Sequence, residues 1–144
     1  MIGDDNPVVR RTLRALLETR TDWQVCGEAT SGREAVEQAA ELKPDMIILD
    51  FAMPEMDGLQ AAREIFAAFP DVPILLYTDY AFSPEAKLDA RKCGVRDVIN
   101  KGSSPNQLLS TMEALLNQKT QATPDTSTAD TLPVVQTPPS DLEQ

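Results

Sequence analysis

Two hydrophobic patterns alternate along the chain. Met46-Ile47-Ile48-Leu49 and Pro73-Ile74-Leu75-Leu76-Tyr77 are unbroken apolar runs, short enough to be strands buried on both faces. Other stretches place apolar residues three and four apart, the helical spacing. These are Val9, Leu13, Leu16 and Leu17, then Leu59, Ala62, Ile65, Phe66 and Phe69, and last Leu108, Leu109, Met112, Leu115 and Leu116. The punctuation agrees with the periods. Asn6-Pro7, Ser83-Pro84 and Ser104-Pro105 each offer a capping side chain, then Pro at a first helical position where a missing N–H costs nothing. Ser31-Gly32-Arg33-Glu34 is a capping box opening a helix through Leu42, and Pro44 ends it. Pro70 stops the following helix, and Gly94 closes the one that contains Ala86, Ala90 and Cys93. The mixed run Trp23 to Glu28 reads as an edge strand and Val95 to Asn100 as a last one. Met1-Ile2-Gly3 is short against the usual ~5–6 residues of a strand, so the first strand reads as truncated, or as starting upstream.

Strand and helix therefore alternate five times with short connections. That order demands a parallel sheet with right-handed crossovers and helices on both faces. The expected architecture is α/β, a doubly wound five-stranded parallel sheet in the flavodoxin-like order 2-1-3-4-5 with five helices. The domain is expected over residues 1–119. From Thr120 to Gln144 there are six Thr, four Pro and no aromatic residue, too little apolar area to offset ordering entropy, so this Thr/Pro-rich acidic tail is expected to be disordered.

Charge changes the picture by exclusion. The 144 residues carry a net −10. All 13 basic residues lie before Thr120 with 19 of the 23 acids, and the tail adds four acids and no base. Both parts would repel phosphate, which argues against direct DNA binding by this chain and against an anionic membrane surface. No apolar run approaches the ~20 residues of a bilayer span. Cys26 and Cys93 lack metal-ligand spacing and follow no signal peptide, so both are expected as small core residues in a reducing cytoplasm. Histidine is absent, which removes imidazole ligands and any His-based triad.

Candidate chemistry lies where the strands end. Asp4 and Asp5 follow the first strand, Asp50 the third, Thr78 closes the fourth and Lys101 follows the fifth. In a parallel sheet these positions share one edge, where open α/β sheets bind ligands. Crowded carboxylates repel, and a hard divalent cation relieves them. Mg²⁺ suits such a site, with Asp5 and Asp50 as direct ligands, Asp4 acting through water and the backbone carbonyl of Ala52 completing the set. Lys101 and the Thr78 hydroxyl can then each take an oxygen of a phosphoryl group on Asp50. The implied chemistry is in-line attack by Asp50 to give an aspartyl phosphate. No general base is needed, since a carboxylate is already ionised at neutral pH.

Taken together, Asp4-Asp5-Asn6, Leu49 through Gly58, Thr78 and Lys101 resemble the receiver domain of bacterial two-component response regulators, a family in which the same strand order is known. The run Lys101-Gly102-Ser103-Ser104-Pro105 is most similar to receivers of the LuxR-type subgroup. The resemblance implies a phosphorylation-dependent switch rather than a conventional enzyme, one that assists its own phosphorylation and dephosphorylation. It further implies a sensor histidine kinase or histidine phosphotransfer protein as donor. The output would pass to an unidentified downstream protein through the fourth helix, fifth strand and fifth helix, with a phosphorylation-dependent homodimer compatible with that reading. Two departures stand out. Val98 occupies the place of the family's usual aromatic switch residue, for which Tyr77 or Tyr80 could substitute. After Lys119 the chain offers the polar tail where LuxR-type regulators continue into a DNA-binding domain.

Each of these residues alone has an ordinary reading, as a loop cap, a solvated lysine or a strand-end hydroxyl. Four coincidences at four strand ends weigh against it. Asp57 is expected only to cap the next helix. The competing function is a pseudo-receiver that never carries phosphate. A phosphohydrolase would want an acid two residues beyond Asp50, where Ala52 stands.

Overall fold

The computed structural model describes residues 1–122, with side chains through Gln118. The elements run β1 (Ile2–Gly3), α1 (Pro7–Leu17), β2 (Glu28–Ala29), α2 (Gly32–Leu42), β3 (Ile47–Leu49), α3 (Gly58–Ala68), β4 (Ile74–Thr78), α4 (Pro84–Lys92), β5 (Val95–Asn100) and α5 (Pro105–Ala122). All strand pairs are parallel, in the order β2-β1-β3-β4-β5. This is the doubly wound sheet that the alternation demanded. Helix α5 runs three residues past the expected boundary at Lys119, to Ala122, and the rest of the expected tail lies outside the described residues.

Side-chain alternation along the strands divides the core in two. Ile47, Leu49, Ile74 and Leu76 pack with Ala35 and Ala39 of α2, Ala61, Ala62 and Ile65 of α3 and Ala90 of α4. Ile2, Ile48, Leu75 and Ile99 face Leu13 and Leu17 of α1 and Leu108, Met112 and Leu115 of α5. The caps form as the sequence dictates. Asn6 accepts from the N–H of Val8, Ser31 from Glu34, Asp57 from Gln60, Ser83 from Ala86 and Ser104 from Gln107. Glu34 completes its box one residue early, taking the N–H and hydroxyl of Thr30 rather than the N–H of Ser31. Gly94 adopts φ 97°, which a β-carbon resists, and it lies against Phe66.

Two expectations need correction. The second strand is Glu28–Ala29, not the run from Trp23, because β1 pairs over two residues with Ile2 opposite Glu28. Residues 23–26 consequently have no partner backbone in β1. Cys26 is exposed while Cys93 is buried. Within that unpaired run Trp23 and Val25 join the core cluster shared with α1 and α5, so the alternate positions, Gln24 and Cys26, turn outward.

The β2 edge is tied to α1 by charge. Glu28 accepts from Arg10 Nε at 3.0 Å and Arg14 Nε at 2.7 Å. The Arg14 hydrogen bond, opposed by partial burial and helped by Arg10, holds the Glu28 carboxyl below its usual value of 4.5. A depressed carboxylate stabilises the fold above its unfolded value and loses that contribution as pH falls through the folded one. Glu28→Gln should cost about 1 kcal/mol at neutral pH, and the cost should vanish at strongly acidic pH, as read by urea unfolding at both.

Candidate functional site

Each strand after which a functional residue was expected delivers it at the sheet's carboxyl edge. Asp4 donates its N–H to the Ala29 carbonyl at 3.0 Å, one position past β1. Asp50 donates to the Gly3 carbonyl at 2.8 Å, one position past β3. Thr78 closes β4, and Lys101, just past β5, donates to the Thr78 carbonyl at 2.9 Å. Main-chain pairing thus fixes the places from which these side chains start. Parallel topology puts the places together.

The side chains converge. Carboxylate oxygens of Asp4, Asp5 and Asp50 lie within 4.8 Å of one another. Asp4 and Asp50 are buried, at 2% and 7% exposure, while Asp5 is open to solvent. Lys101 Nζ is 2.8 Å from Asp4 Oδ2 and 3.3 Å from Asp50 Oδ2. Burial first, then the Asp4 carboxylate, pushes the Asp50 carboxyl above its usual value of 3.8, against the pull of Lys101 and the Phe51 N–H. Burial alone would lower Lys101, but the hydrogen bond and charge of Asp4, then Asp50, outweigh it and hold the ammonium above its usual value of 10.5. The site therefore stores excess negative charge around one acid, with a single ammonium bridging two of the three carboxylates. Three hard oxygen donors, one of them facing water, fit Mg²⁺ and not a soft metal.

Thr78 is fully buried, and its Oγ1 accepts the Tyr80 N–H at 3.2 Å. Ala52 sits two residues beyond Asp50 in the exposed part of the β3–α3 loop. That loop is pinned by Gly58, whose N–H donates to the Phe51 carbonyl at 2.7 Å. A β-carbon at Gly58 would fall on the Asp50 carbonyl oxygen and lie 3.0 Å from the Asp50 carbonyl carbon and Phe51 Cα. All three are backbone atoms, so no rotamer change relieves the clash. Gly58→Ala should cost about 2 kcal/mol by overpacking, measured as unfolding free energy.

Three features were not anticipated from the sequence. Arg10 Nη1 donates to the Asp4 carbonyl at 2.7 Å while its Nε holds Glu28, bracing the acid pair from α1. Phe51 makes edge-to-face contacts with Tyr80 at 5.1 Å and Phe82 at 5.6 Å, an aromatic wall beside Asp50. Only the apolar identity of the residue after Asp50 hinted at it. Tyr77 packs into the α1/α5 core, whereas Val98 packs with the α2–α4 side. Tyr77 therefore cannot fill the volume of a missing aromatic at Val98. Its hydroxyl instead donates to the Lys101 carbonyl at 3.4 Å.

The acidic pocket with its fixed ammonium thus sits at the carboxyl edge of a doubly wound 2-1-3-4-5 sheet. The family model for the response regulator receiver domain matches residues 1–113, and the chain belongs to that family. It is 38% identical over 113 residues to the uncharacterized transcriptional regulatory protein YhcZ of Bacillus subtilis (strain 168), covering 78% of this chain but 52% of YhcZ. The chain thus spans about half of that relative. With the chemotaxis protein CheY of Thermotoga maritima the identity is 38% over 110 residues, covering 76% of this chain and 89% of CheY. The crystal structure of a LuxR-family two-component response regulator from Aurantimonas sp. SI85-9A1 superposes with a TM-score of 0.77 at 33% identity, over 82% of this chain and 84% of that one. The chain is accordingly a receiver domain, the kind of phosphoacceptor module used in two-component signalling. Among the described residues no helix is long and apolar enough to cross a membrane.

Proposed function

We propose that Asp50 is the phosphoacceptor, that Asp5 and Asp50 bind Mg²⁺ directly with Asp4 behind them and the Ala52 carbonyl beside them, and that Thr78 and Lys101 grip the phosphoryl oxygens. The observation that carries this reading is the clustering of three carboxylates, two of them on the Lys101 ammonium, 2.8 Å from Asp4 and 3.3 Å from Asp50. Lys101 is the mobile part. A phosphoryl group on Asp50 brings new anionic oxygens, and the ammonium exchanges a carboxylate for one of them. Thr78 can keep the Tyr80 N–H on a lone pair while donating its own hydroxyl to a phosphoryl oxygen. Mg²⁺, when bound, supplies neutralisation of charge between the phosphate and the acids. Asp50 itself attacks the phosphorus in line, and the phosphohistidine nitrogen of the donor leaves. The protein contributes position and charge rather than further covalent chemistry.

The donor is a sensor histidine kinase or a histidine phosphotransfer protein, met in the cytoplasm. The output is a protein contact made by α4, β5 and α5, or a homodimer through that face. Exposed Leu88 on α4 supports this surface. The LuxR-type run at Lys101 to Pro105 and the Aurantimonas likeness support that subgroup. Incubation with acetyl phosphate and Mg²⁺ tests the core of the proposal. A gain of about 80 Da on the peptide that contains Asp50 is the expected result. A protein that takes up no phosphate under these conditions is a pseudo-receiver.

Hydrolysis of the acyl phosphate returns the switch to rest. Tyr80, edge-to-face with Phe51 and 55% exposed, is the ring we assign to shielding the neighbouring Asp50 from water. Tyr80→Ala should shorten the lifetime of the phosphorylated state severalfold, read by mass spectrometry after acetyl phosphate is removed. An equal or longer lifetime would show that the ring is no shield.

A further inference from the structure

Of the three clustered acids, Asp5 has the least support. Asp4 Oδ1 accepts the Asn6 N–H at 2.9 Å and its Oδ2 meets the Lys101 ammonium at 2.8 Å, and Asp50 shares that ammonium. The Asp5 side chain is exposed, and among the described residues it has no hydrogen-bond or ion-pair partner. Only its backbone can aim it.

Arg10 holds that backbone. Its N–H donates to the Asn6 carbonyl at 3.1 Å, one turn into α1, and helical side chains lean back toward the N-terminus. The guanidinium therefore returns over the end of β1, where Nη1 donates to the Asp4 carbonyl at 2.7 Å and Nε to Glu28 Oε1 at 3.0 Å. The Asp4 carbonyl and the Asp5 N–H belong to one planar peptide, so a donor fixed on that oxygen sets the plane from which Asp5 departs. Glu28 is itself fixed, paired with Ile2 and held by Arg14 Nε at 2.7 Å. The Arg10 side chain is 16% exposed against 39% for Arg14, so water competes less for its hydrogen bonds. A guanidinium beside a cation site repels the cation. Any gain for the metal must therefore come from geometry.

We propose that Arg10 is a positioning residue for the metal: by pinning the peptide between Asp4 and Asp5 against Glu28, it aims the Asp5 carboxylate at the space beside Asp50 before Mg²⁺ arrives. This rests on the reading of Asp5 and Asp50 as Mg²⁺ ligands. A ligand already oriented by its outer partners binds more tightly, because its ordering is completed in folding rather than in binding.

Mg²⁺ titrations of the full chain at constant ionic strength, followed by the amide signals of Asp5 and Asp50, test it. Arg10→Met should weaken Mg²⁺ binding about tenfold, although loss of a positive charge would by itself tighten it. Arg14→Met removes the same charge and a second Glu28 contact without touching Asp4, and should not weaken binding. Arg10→Lys keeps the charge but not the two-pronged grip. It should weaken binding by a smaller factor, and it carries the test if Arg10→Met does not fold. Asp5→Asn should cost less affinity in Arg10→Met than in the wild type, because the two changes remove one shared contribution. Unchanged or tighter Mg²⁺ binding in both Arg10 variants would overturn the proposal, as would equal weakening in Arg14→Met or full additivity with Asp5→Asn. A wild type that binds no Mg²⁺ would overturn the metal site itself, and this proposal with it.

Discussion

Asp50→Asn should take up no phosphate from acetyl phosphate and Mg²⁺, whereas the wild type gains about 80 Da. The amide has nearly the shape of the carboxylate but is a poor nucleophile, so an in-line attack has nothing to start it. The substitution should also raise stability when divalent cations are chelated. Asp50 is buried and within 4.8 Å of two other carboxylates, and ionisation there is opposed by burial and by Asp4. A neutral side chain removes that repulsion, while Lys101 keeps Asp4 at 2.8 Å. Thermal melts with chelator and with Mg²⁺ separate the contributions. The wild type should gain more from Mg²⁺ than the variant, because a ligand that binds only the folded state stabilises in proportion to its affinity. Loss of labelling with no change in the metal-free melt would mean that the charge crowding has little energetic weight. Undiminished labelling would move the acceptor elsewhere.

Lys101→Ala should have the second large effect, of a different kind. With side-chain exposures of 14% for Lys101 and 3% for Asp4, removing the ammonium leaves two buried acids without their shared partner. Breaking such a pair costs about 3 kcal/mol, the low end of the range for buried pairs, because the lysine keeps some contact with water. Mg²⁺ should restore part of the loss, and a second substitution, Asp50→Asn, most of it. Phosphorylation itself should survive in part, since Asp50 and its acid neighbours remain. The response should fail. In the wild type, beryllofluoride with Mg²⁺ should shift amide signals through α4, β5 and α5, because Lys101 follows β5 directly and carries its displacement into that strand. In Lys101→Ala those distant shifts should disappear while shifts around Asp50 persist. Identical distant shifts in both proteins would show that Lys101 neutralises charge but does not relay the signal.

Local chemistry in the chain set the elements and their order. Pro, Gly and capping side chains placed the helix starts at Pro7, Gly32, Gly58, Pro84 and Pro105, because each acts on the backbone of its own turn. Alternation of apolar runs with amphipathic stretches was enough to specify a parallel sheet, and polar residues past four strands marked its functional edge. Tertiary structure decided what depends on neighbours distant in sequence. It limited β2 to Glu28–Ala29, since a strand extends only as far as its partner does. It turned Cys26 outward and Cys93 inward, placed Tyr77 on the opposite face from Val98, and brought Arg10 to the Asp4 carbonyl. It also gave the charges their relation. Sequence could name Asp4, Asp50 and Lys101, but only folding removes water from them and sets the ammonium 2.8 and 3.3 Å from its two acids, which makes one aspartate unlike the rest.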